Sequence, residues 1–238
     1  MNTYLKNLRN TSIAASFAAA AFAGGVSAAV TDNSVKLLTA QFDARRVVQI
    51  EVGDFHFKPG QVAPIHTHDA PAVGYVVKGA IIYQVEGEKP QVLREGDAFY
   101  EPTDKRILRF DNASATEEAI FVDFNLEQEG EPFIVFEEQP KEAIDRRALP
   151  TIDVANQSVK QVDIFASELD RSGTLELGNN EPTMGIVAEG VIEIQVDGEV
   201  TQRAIAGSTF ALPKDASQAL IINASSEVTA TVITFRLN

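Results

Sequence analysis

An internal repeat constrains the fold of this chain more than any other feature. Sliding the sequence by 111 residues places the stretch from Gly74 to Leu126 on the stretch from Gly185 to Leu237 without a gap. The matched positions include turn-forming residues: Gly74, Gly79, Gly87 and Gly96 fall on Gly185, Gly190, Gly198 and Gly207, and Asn112-Ala113-Ser114 falls on Asn223-Ala224-Ser225. Because chance seldom aligns glycines and a tripeptide in one register, the chain contains two copies of one structural unit.

Each copy has the sequence pattern of short β-strands. Runs rich in β-branched and aromatic residues, such as 80–85 and 107–110, are bounded by glycine, proline, aspartate and asparagine. Many short strands with such turns are typical of a sandwich or small barrel, so the sequence predicts an all-β protein with two tandem barrels. Residues 139–149 are charged and flanked by prolines. We predict a linker or a short helix there, with the domain boundary near residue 145.

The first 28 residues form a separate segment. Lys6 and Arg9 precede an apolar run from Ile13 to Phe22, and small residues follow as far as Ala28. This order is typical of a secretory signal peptide, and the run is shorter than the ~20 residues that a membrane-spanning helix needs. We therefore predict a signal peptide at 1–28, barrels at 29–145 and 146–238, and export to the periplasm or the extracellular medium. No membrane span is expected after cleavage.

The composition excludes several classes of function. The formal net charge of −14 disfavours binding to nucleic acid or to anionic membranes. The chain has no cysteine, which rules out disulfides, thiolate metal ligands and cysteine nucleophiles. It also lacks a Gly-x-Ser-x-Gly elbow and a phosphate-binding glycine loop.

Two of the three histidines, His66 and His68, lie together in the sequence. On a strand, residues i and i+2 project from the same face, so the two imidazoles are expected side by side. The spacing is compatible with a transition-metal site that takes further donors from elsewhere, and equally with two histidines bonded to nearby carbonyl groups. The third, His56, has the opposite parity to Phe57 and is predicted to lie at the surface or between sheets.

The residues around the histidine pair resemble the two motifs of the cupin superfamily, whose fold is a double-stranded β-helix or jelly-roll barrel. The stretch 60–68, Gly-Gln-Val-Ala-Pro-Ile-His-Thr-His, followed by Gly79, resembles the first motif, and 96–112 resembles the second. The first copy is similar to small quercetinase-like cupins. The resemblance implies a two-domain protein, or bicupin. It also implies four metal ligands: the histidine pair, a glutamate seven residues before Gly79 and a histidine in the second motif.

The chain departs from this family pattern at two of the four ligand positions. Ala72 stands in place of the glutamate, and Ile107 stands in place of the second-motif histidine. In the second copy Leu177 and Asn179 occupy the positions of the histidine pair. We therefore expect the second barrel to bind no metal of the family type and to be structural, covering the first barrel or supporting a homodimer.

Acidic residues near the histidine pair are candidates for a third ligand. Glu101, immediately before Pro102, is preferred over Asp69 and Asp104. The expected cofactor is a divalent transition metal, Mn, Fe, Ni, Cu or Zn, and a barrel with no metal is the alternative.

Three further side chains are candidates for ligand binding. Arg109 lies two residues after Ile107, so strand alternation predicts that it points into the barrel, where a guanidinium recognises a carboxylate or a phosphate. Alternatively, Arg109 pairs with an internal acid or turns outward at a bulge. Tyr75 and Tyr83 either line a pocket or pack in the core.

Three functions remain open at this point. The first is an exported cupin that binds a small molecule in the N-terminal barrel, with at most a residual two-histidine metal site. The second is a metal-dependent cupin enzyme, of dioxygenase, isomerase or lyase type, that acts on a small organic substrate. The third is a structural protein whose barrels assemble. Missing ligands weaken a metal site, so the sequence favours the small-molecule-binding cupin. No residue is assigned a catalytic role.

Overall fold

The computed structural model describes residues 33–177, 182–212 and 218–238. All regular elements in these ranges are β-strands, so no helix there has the length and hydrophobicity needed to cross a membrane. The predicted signal peptide and Asn179 lie outside the described residues.

The strands of the first copy and of the segment after it are β1 (Ser34–Phe57), β2 (His66–Thr67), β3 (Ala72–Lys78), β4 (Ala80–Val85), β5 (Gln91–Arg94), β6 (Ala98–Glu101), β7 (Ile107–Asn112), β8 (Ala119–Glu127), β9 (Val135–Phe136) and β10 (Asp145–Ala148). Those of the second copy are β11 (Ile152–Leu169), β12 (Thr174–Leu177), β13 (Thr183–Glu189), β14 (Val191–Val196), β15 (Glu199–Ile205), β16 (Thr209–Leu212), β17 (Ala219–Asn223) and β18 (Ala230–Leu237). The all-β prediction is confirmed.

The strands form three antiparallel sheets. A nine-stranded sheet has the order β16-β13-β18-β11-β1-β8-β3-β6, with β10 also paired to β1. The five-stranded sheet β5-β4-β7-β2-β9 encloses one apolar core with β1, β3, β6 and β8. The four-stranded sheet β12-β17-β14-β15 encloses another with β11, β13, β16 and β18. The fold is a tandem pair of jelly-roll barrels that share one large sheet.

Strand β8 contributes to two cores at once. Phe121 and Asp123 face the interior of the first barrel, whereas Val122 and Phe124 face the second barrel. Since successive side chains on a strand point to opposite faces, a strand covered on both sides is apolar at nearly every position. Asp123, Asn125 and Glu127 break this rule, and Asp123 does so inside the first barrel.

An approximate two-fold axis relates the two copies of the repeat. Where β1 pairs with β11, Arg46 is opposite Ser158 and Val47 is opposite Gln157. The 111-residue shift converts each of these pairs into the other. The duplicated units therefore contact each other through equivalent surfaces, as two subunits do in an isologous dimer.

An apolar core joins the two barrels. Phe124 and Phe235, which the repeat also relates, are both fully buried, and their ring centroids are 4.5 Å apart. Burying a side chain of this size stabilises the folded state by roughly 1.5–3 kcal/mol. The second barrel thus covers one face of the first.

A close approach of an aromatic ring explains one pair of matched glycines. A Cβ atom at Gly74 would lie 2.1 Å from Cζ of Phe99, and one at Gly185 would lie 2.3 Å from Cζ of Phe210. A non-bonded contact this short is not possible, so only glycine lets the ring lie across strand β3 or β13.

The segment between the copies differs from the prediction. Part of it forms strand β10, which pairs antiparallel with β1 and places Ala148 opposite Gly53. The short-helix alternative is therefore wrong for these residues. One edge of β1 pairs with β8 here, and its other edge would expose unpaired backbone groups without a further strand. Strand β10 provides the hydrogen-bond partners, and its charged side chains remain partly exposed. The boundary near residue 145 stays a prediction.

Candidate metal centre

His66 and His68 lie at the inner wall of the first barrel. His66 begins β2, where it is opposite Ile107 of β7 on one side and Phe136 of β9 on the other. Both histidines are buried, with 3% and 1% of their surface exposed. Their ring centroids are 5.4 Å apart, so the two imidazoles are adjacent in space as well as in sequence.

Glu101 completes the cluster from a different strand. It is the last residue of β6, it is 3% exposed, and it lies opposite Ala72 of β3 in the antiparallel register. Its Oε1 is 3.4 Å from Nε2 of His66, and its Oε2 is 3.3 Å from Nε2 of His68. The family glutamate that is missing at Ala72 is thus matched by a carboxylate on the neighbouring strand.

Hydrogen bonds orient one of the two imidazoles. Nδ1 of His66 lies 2.8 Å from the carbonyl oxygen of Pro64, to which it donates, and this leaves Nε2 facing Glu101. Ligating histidines are commonly held through their other nitrogen in this way. Neither nitrogen of His68 has a partner at hydrogen-bonding geometry, although both are buried.

The donor set suits a metal ion. One ligand atom from each of His66, His68 and Glu101 lies within 4.8 Å of the other two, and all three residues are buried. Buried polar atoms without partners are costly, and a bound cation would satisfy one nitrogen of His68. The cluster could therefore hold a divalent transition metal.

Charges within the cluster shift the pKa values of its members. Burial favours the neutral form of Glu101, but His68 and His66 outweigh it and lower the pKa of this carboxyl group. Burial likewise lowers the pKa of His68, and the adjacent Glu101 charge more than compensates, raising it to about 9. Without a metal, an imidazolium–carboxylate pair therefore occupies the centre of the site.

The cavity at this site is small and mostly apolar. Its volume is about 20 Å³, enough for one water molecule or one ion. Besides the three donors and Asp123, its walls are aromatic and aliphatic and include Phe55, Phe57, Phe110, Phe121, Ile134 and Phe136. Binding of a molecule larger than water would require movement of the residues between β8 and β10 that line the cavity, which are Ile134, Phe136 and Ile144.

Arg109 lies outside this cavity. A β-bulge at Leu108 lets Gln84 pair with Arg109 and Val85 pair with Ile107, which breaks the two-residue alternation. The Arg109 side chain is 42% exposed, and its Nε donates to Oδ2 of Asp111 at 2.8 Å. The prediction that Arg109 points into the barrel with Ile107 is therefore wrong. Instead, Arg109 turns outward at the bulge and pairs with the buried acid Asp111.

The two tyrosines lie in different places. Tyr75 is buried in the core between the barrels. Tyr83 is buried in the first barrel, its hydroxyl donates to the carbonyl oxygen of Tyr100, and it borders an open pocket of about 910 Å³. None of the three metal-site donors lines that pocket. Ligand binding by either tyrosine stays a prediction.

The remaining candidates lie away from the cluster. Asp69 and Asp104 are exposed. His56 is half-buried between Asp54 and Glu118, at 3.2 and 3.3 Å.

The second barrel is filled by aliphatic and aromatic side chains. Leu177 and Leu212, which the repeat matches to His66 and Glu101, are both buried in its core. Among the described residues, the only group of three or more potential metal ligands close enough to share an ion is the one in the first barrel.

Sequence reasoning missed the polar residues on the inner face of β8. Asp123, Asn125 and Glu127 are each at most 2% exposed. They alternate with Val122, Phe124 and Leu126, so a strict apolar–polar alternation was visible. Such an alternation normally indicates polar side chains in solvent. Here both faces of the strand are buried, and the polar side chains point into the barrel.

Comparison with known proteins supports this architecture. Residues 53–125 match Cupin_2, a cupin domain family, and no curated protein matches the chain in sequence. AerE of Microcystis aeruginosa is 14% identical, with a TM-score of 0.56 over 85% of this chain and 98% of that one. A vicilin of Capsicum annuum is 12% identical, with a TM-score of 0.60 over 81% and 76%. A salicylate 1,2-dioxygenase of Pseudaminobacter salicylatoxidans is 14% identical, with a TM-score of 0.53 over 80% and 71%.

Each of these structural matches covers at least 80% of the chain and therefore spans both barrels. The fold thus defines a class, the all-β proteins with two tandem cupin barrels. The match over residues 53–125 identifies the first barrel as a cupin domain. Identities of 12–14% show the fold and leave the function to the site itself.

Proposed function

We propose that the first barrel binds one divalent transition metal ion through His66, His68 and Glu101, and that the protein uses this ion as an enzyme on a small organic molecule. The observation that carries the proposal is the convergence of three buried donors from β6 and the β2 region, with one ligand atom from each within 4.8 Å of the other two. A two-histidine remnant would not need Glu101 buried at its centre.

The donor set supports an enzyme over a purely structural site. Two imidazoles and one carboxylate are the protein ligands of non-haem iron oxygenases, in which the remaining coordination positions stay open. When bound, such an ion supplies a Lewis acid and a binding position for a reactant. The one-water cavity beside the donors is the space in which a small reactant would meet it.

The other residues of the site have supporting roles in this proposal. The Pro64 carbonyl fixes the ring of His66, and the charge of Glu101 offsets that of the cation. The phenylalanines of the wall exclude bulk water, which strengthens the electrostatic interactions inside the site. A similar fold in a protein named as a salicylate dioxygenase is compatible with oxygenase chemistry.

A second candidate function is binding of a small molecule without catalysis. The small, aromatic-walled cavity favours it, because little space remains for both a metal-bound reactant and a substrate. In this case the metal, or the imidazolium–carboxylate pair itself, would anchor a ligand once the cover over the site opens.

The first test is the metal content of the purified chain, measured by mass spectrometry of the elements after incubation with manganese, iron, nickel, copper or zinc. We expect about one ion per chain in the wild type and none in the His66→Ala/His68→Ala variant. The matched control is His56→Ala, because His56 is the remaining histidine and contacts Asp54 and Glu118 outside the cavity. Wild-type protein without metal would contradict the proposal.

Catalysis is tested separately on the metal-loaded protein. Oxygen consumption and product formation are measured with a panel of small aromatic and aliphatic acids, with the double histidine variant as the blank. Turnover that disappears in the blank supports the enzyme. Saturable binding of a panel member without turnover would instead support the binding protein.

Export and assembly belong to the same proposal. If residues 1–28 are a cleaved signal peptide, the protein recovered from the periplasm or the medium begins at Ala29, as its intact mass would show. A homodimer would elute from a sizing column at about twice the mass of one mature chain.

A further inference from the structure

Asp123 is a buried carboxylate that the three-donor site does not use. It lies on the inner face of β8 and is 2% exposed, and it lines the same small cavity as His66, His68 and Glu101. Its Oδ1 is buried and has no hydrogen-bond partner. A buried carboxylate oxygen without a partner is costly, which indicates that a group absent from the protein alone satisfies it.

The sheet register places two carboxylates on either side of β3. Ala72 of β3 is opposite Glu101 on β6, and the next inward-facing residue of β3, Gly74, is opposite Asp123 on β8. Ala72 has a small side chain, and the ring of Phe99 covers Gly74. The single glutamate that the cupin motif would place on β3 is thus flanked here by two acids on the neighbouring strands.

Positive charge near Asp123 comes from His68 and Arg146. Burial and the nearby Glu101 charge raise the pKa of Asp123, whereas the charges of His68 and Arg146 lower it. Arg146 also pairs with Glu51 and stacks on the Phe133 ring at 3.8 Å. A divalent cation between Glu101 and Asp123 would add positive charge beside both carboxyl groups and favour their ionised forms.

We propose that Asp123 is a fourth protein ligand of the metal ion, which is then held by two imidazoles and two carboxylates. This inference rests on the proposed metal site and adds a ligand that the cupin motifs do not contain. Asp123 is not among the donors that lie within 4.8 Å of one another, so its carboxylate moves towards the ion on binding. Two oxygen donors favour harder ions. Compared with a three-imidazole site, this site should therefore bind manganese and iron more tightly relative to copper and nickel.

The test compares Asp123→Asn with Glu127→Gln in the full chain. Both variants replace a buried carboxylate on the same face of β8 with an amide of similar shape. Glu127 accepts hydrogen bonds from Gln49 at 2.8 Å and Asn125 at 3.3 Å, and it does not line the cavity. Mn²⁺ affinity is measured by competition with a chelating dye. The visible absorption spectrum of bound Co²⁺ reports the ligand set.

We expect Asp123→Asn to weaken Mn²⁺ binding by at least about tenfold and to change the Co²⁺ spectrum, since even outer-shell replacements cost 10–100-fold in affinity. Glu127→Gln is expected to leave the affinity within about twofold and the spectrum unchanged. Circular dichroism establishes that each variant is folded. If Asp123→Asn does not fold, Asp123→Ser, which also removes the carboxylate, is measured in its place.

Two results would overturn the assignment while leaving the metal site intact. Wild-type affinity in the Asp123 variant would show that Asp123 plays no part in binding. Weaker binding with an unchanged Co²⁺ spectrum would show that Asp123 acts only through its charge. Absence of Mn²⁺ and Co²⁺ binding in the wild type is a different result, which overturns the proposed function itself.

Discussion

The contact between Phe124 and Phe235 allows a quantitative test of whether the two barrels fold as one unit. Both rings are fully buried, and each belongs to a different copy of the repeat. Replacing either by leucine keeps an apolar side chain but leaves a small cavity, and should cost roughly 1–3 kcal/mol of unfolding free energy. The double variant should lose less unfolding free energy than the sum of the two single variants, because the contact between the two rings is lost only once. We expect a coupling free energy of about 0.5–1.5 kcal/mol.

The assay is urea unfolding of the four proteins in this double-mutant cycle. The chain has no tryptophan, so far-ultraviolet circular dichroism is the appropriate signal. The control cycle combines Phe124→Leu with Phe210→Leu, because Phe210 lies in the interior core of the second barrel. That pair should be additive within about 0.5 kcal/mol. Additivity for Phe124 with Phe235, or two separate transitions in the wild type, would refute the shared core.

Three further results are expected. Metal at 100 times its dissociation constant should stabilise the wild type by about 2.7 kcal/mol and raise the melting temperature in a thermal scan, while the double histidine variant shows no shift. Ala72→Glu should restore metal content to a Glu101→Gln protein, because the two positions are opposite in register; continued loss would contradict their equivalence. Gly74→Ala should lower the free energy of unfolding in urea by about 1–3 kcal/mol, because its Cβ would collide with Phe99; wild-type stability would contradict this.

Much of the fold could be predicted from the sequence because the repeat and the turn residues act locally. Glycine, proline and asparagine end the strands near the expected positions, so β4, for example, has its predicted limit at Val85. The segment before β11 could not be predicted in the same way. Strand β10 forms because part of β1 would otherwise expose unpaired backbone groups, and this depends on a partner about 90 residues away.

The candidate site was predictable only in part, for a similar reason. The spacing of His66 and His68 is local, and strand alternation was enough to bring them together. Glu101 meets them because β6 pairs with β3, a register that no local pattern specifies. Arg109 was misplaced because one inserted residue, Leu108, reverses the side-chain direction of everything after it.

The two-fold arrangement of the barrels also has a thermodynamic consequence. An interface between separate subunits dissociates on dilution, whereas the corresponding surfaces here are tethered in one polypeptide and remain at a high effective concentration. Cohesion of the pair is therefore independent of how much protein the cell makes. Under that condition the interiors of the two halves are free to differ: the interior around Leu177 and Leu212 is aliphatic, while the other half contains the cluster of His66, His68 and Glu101.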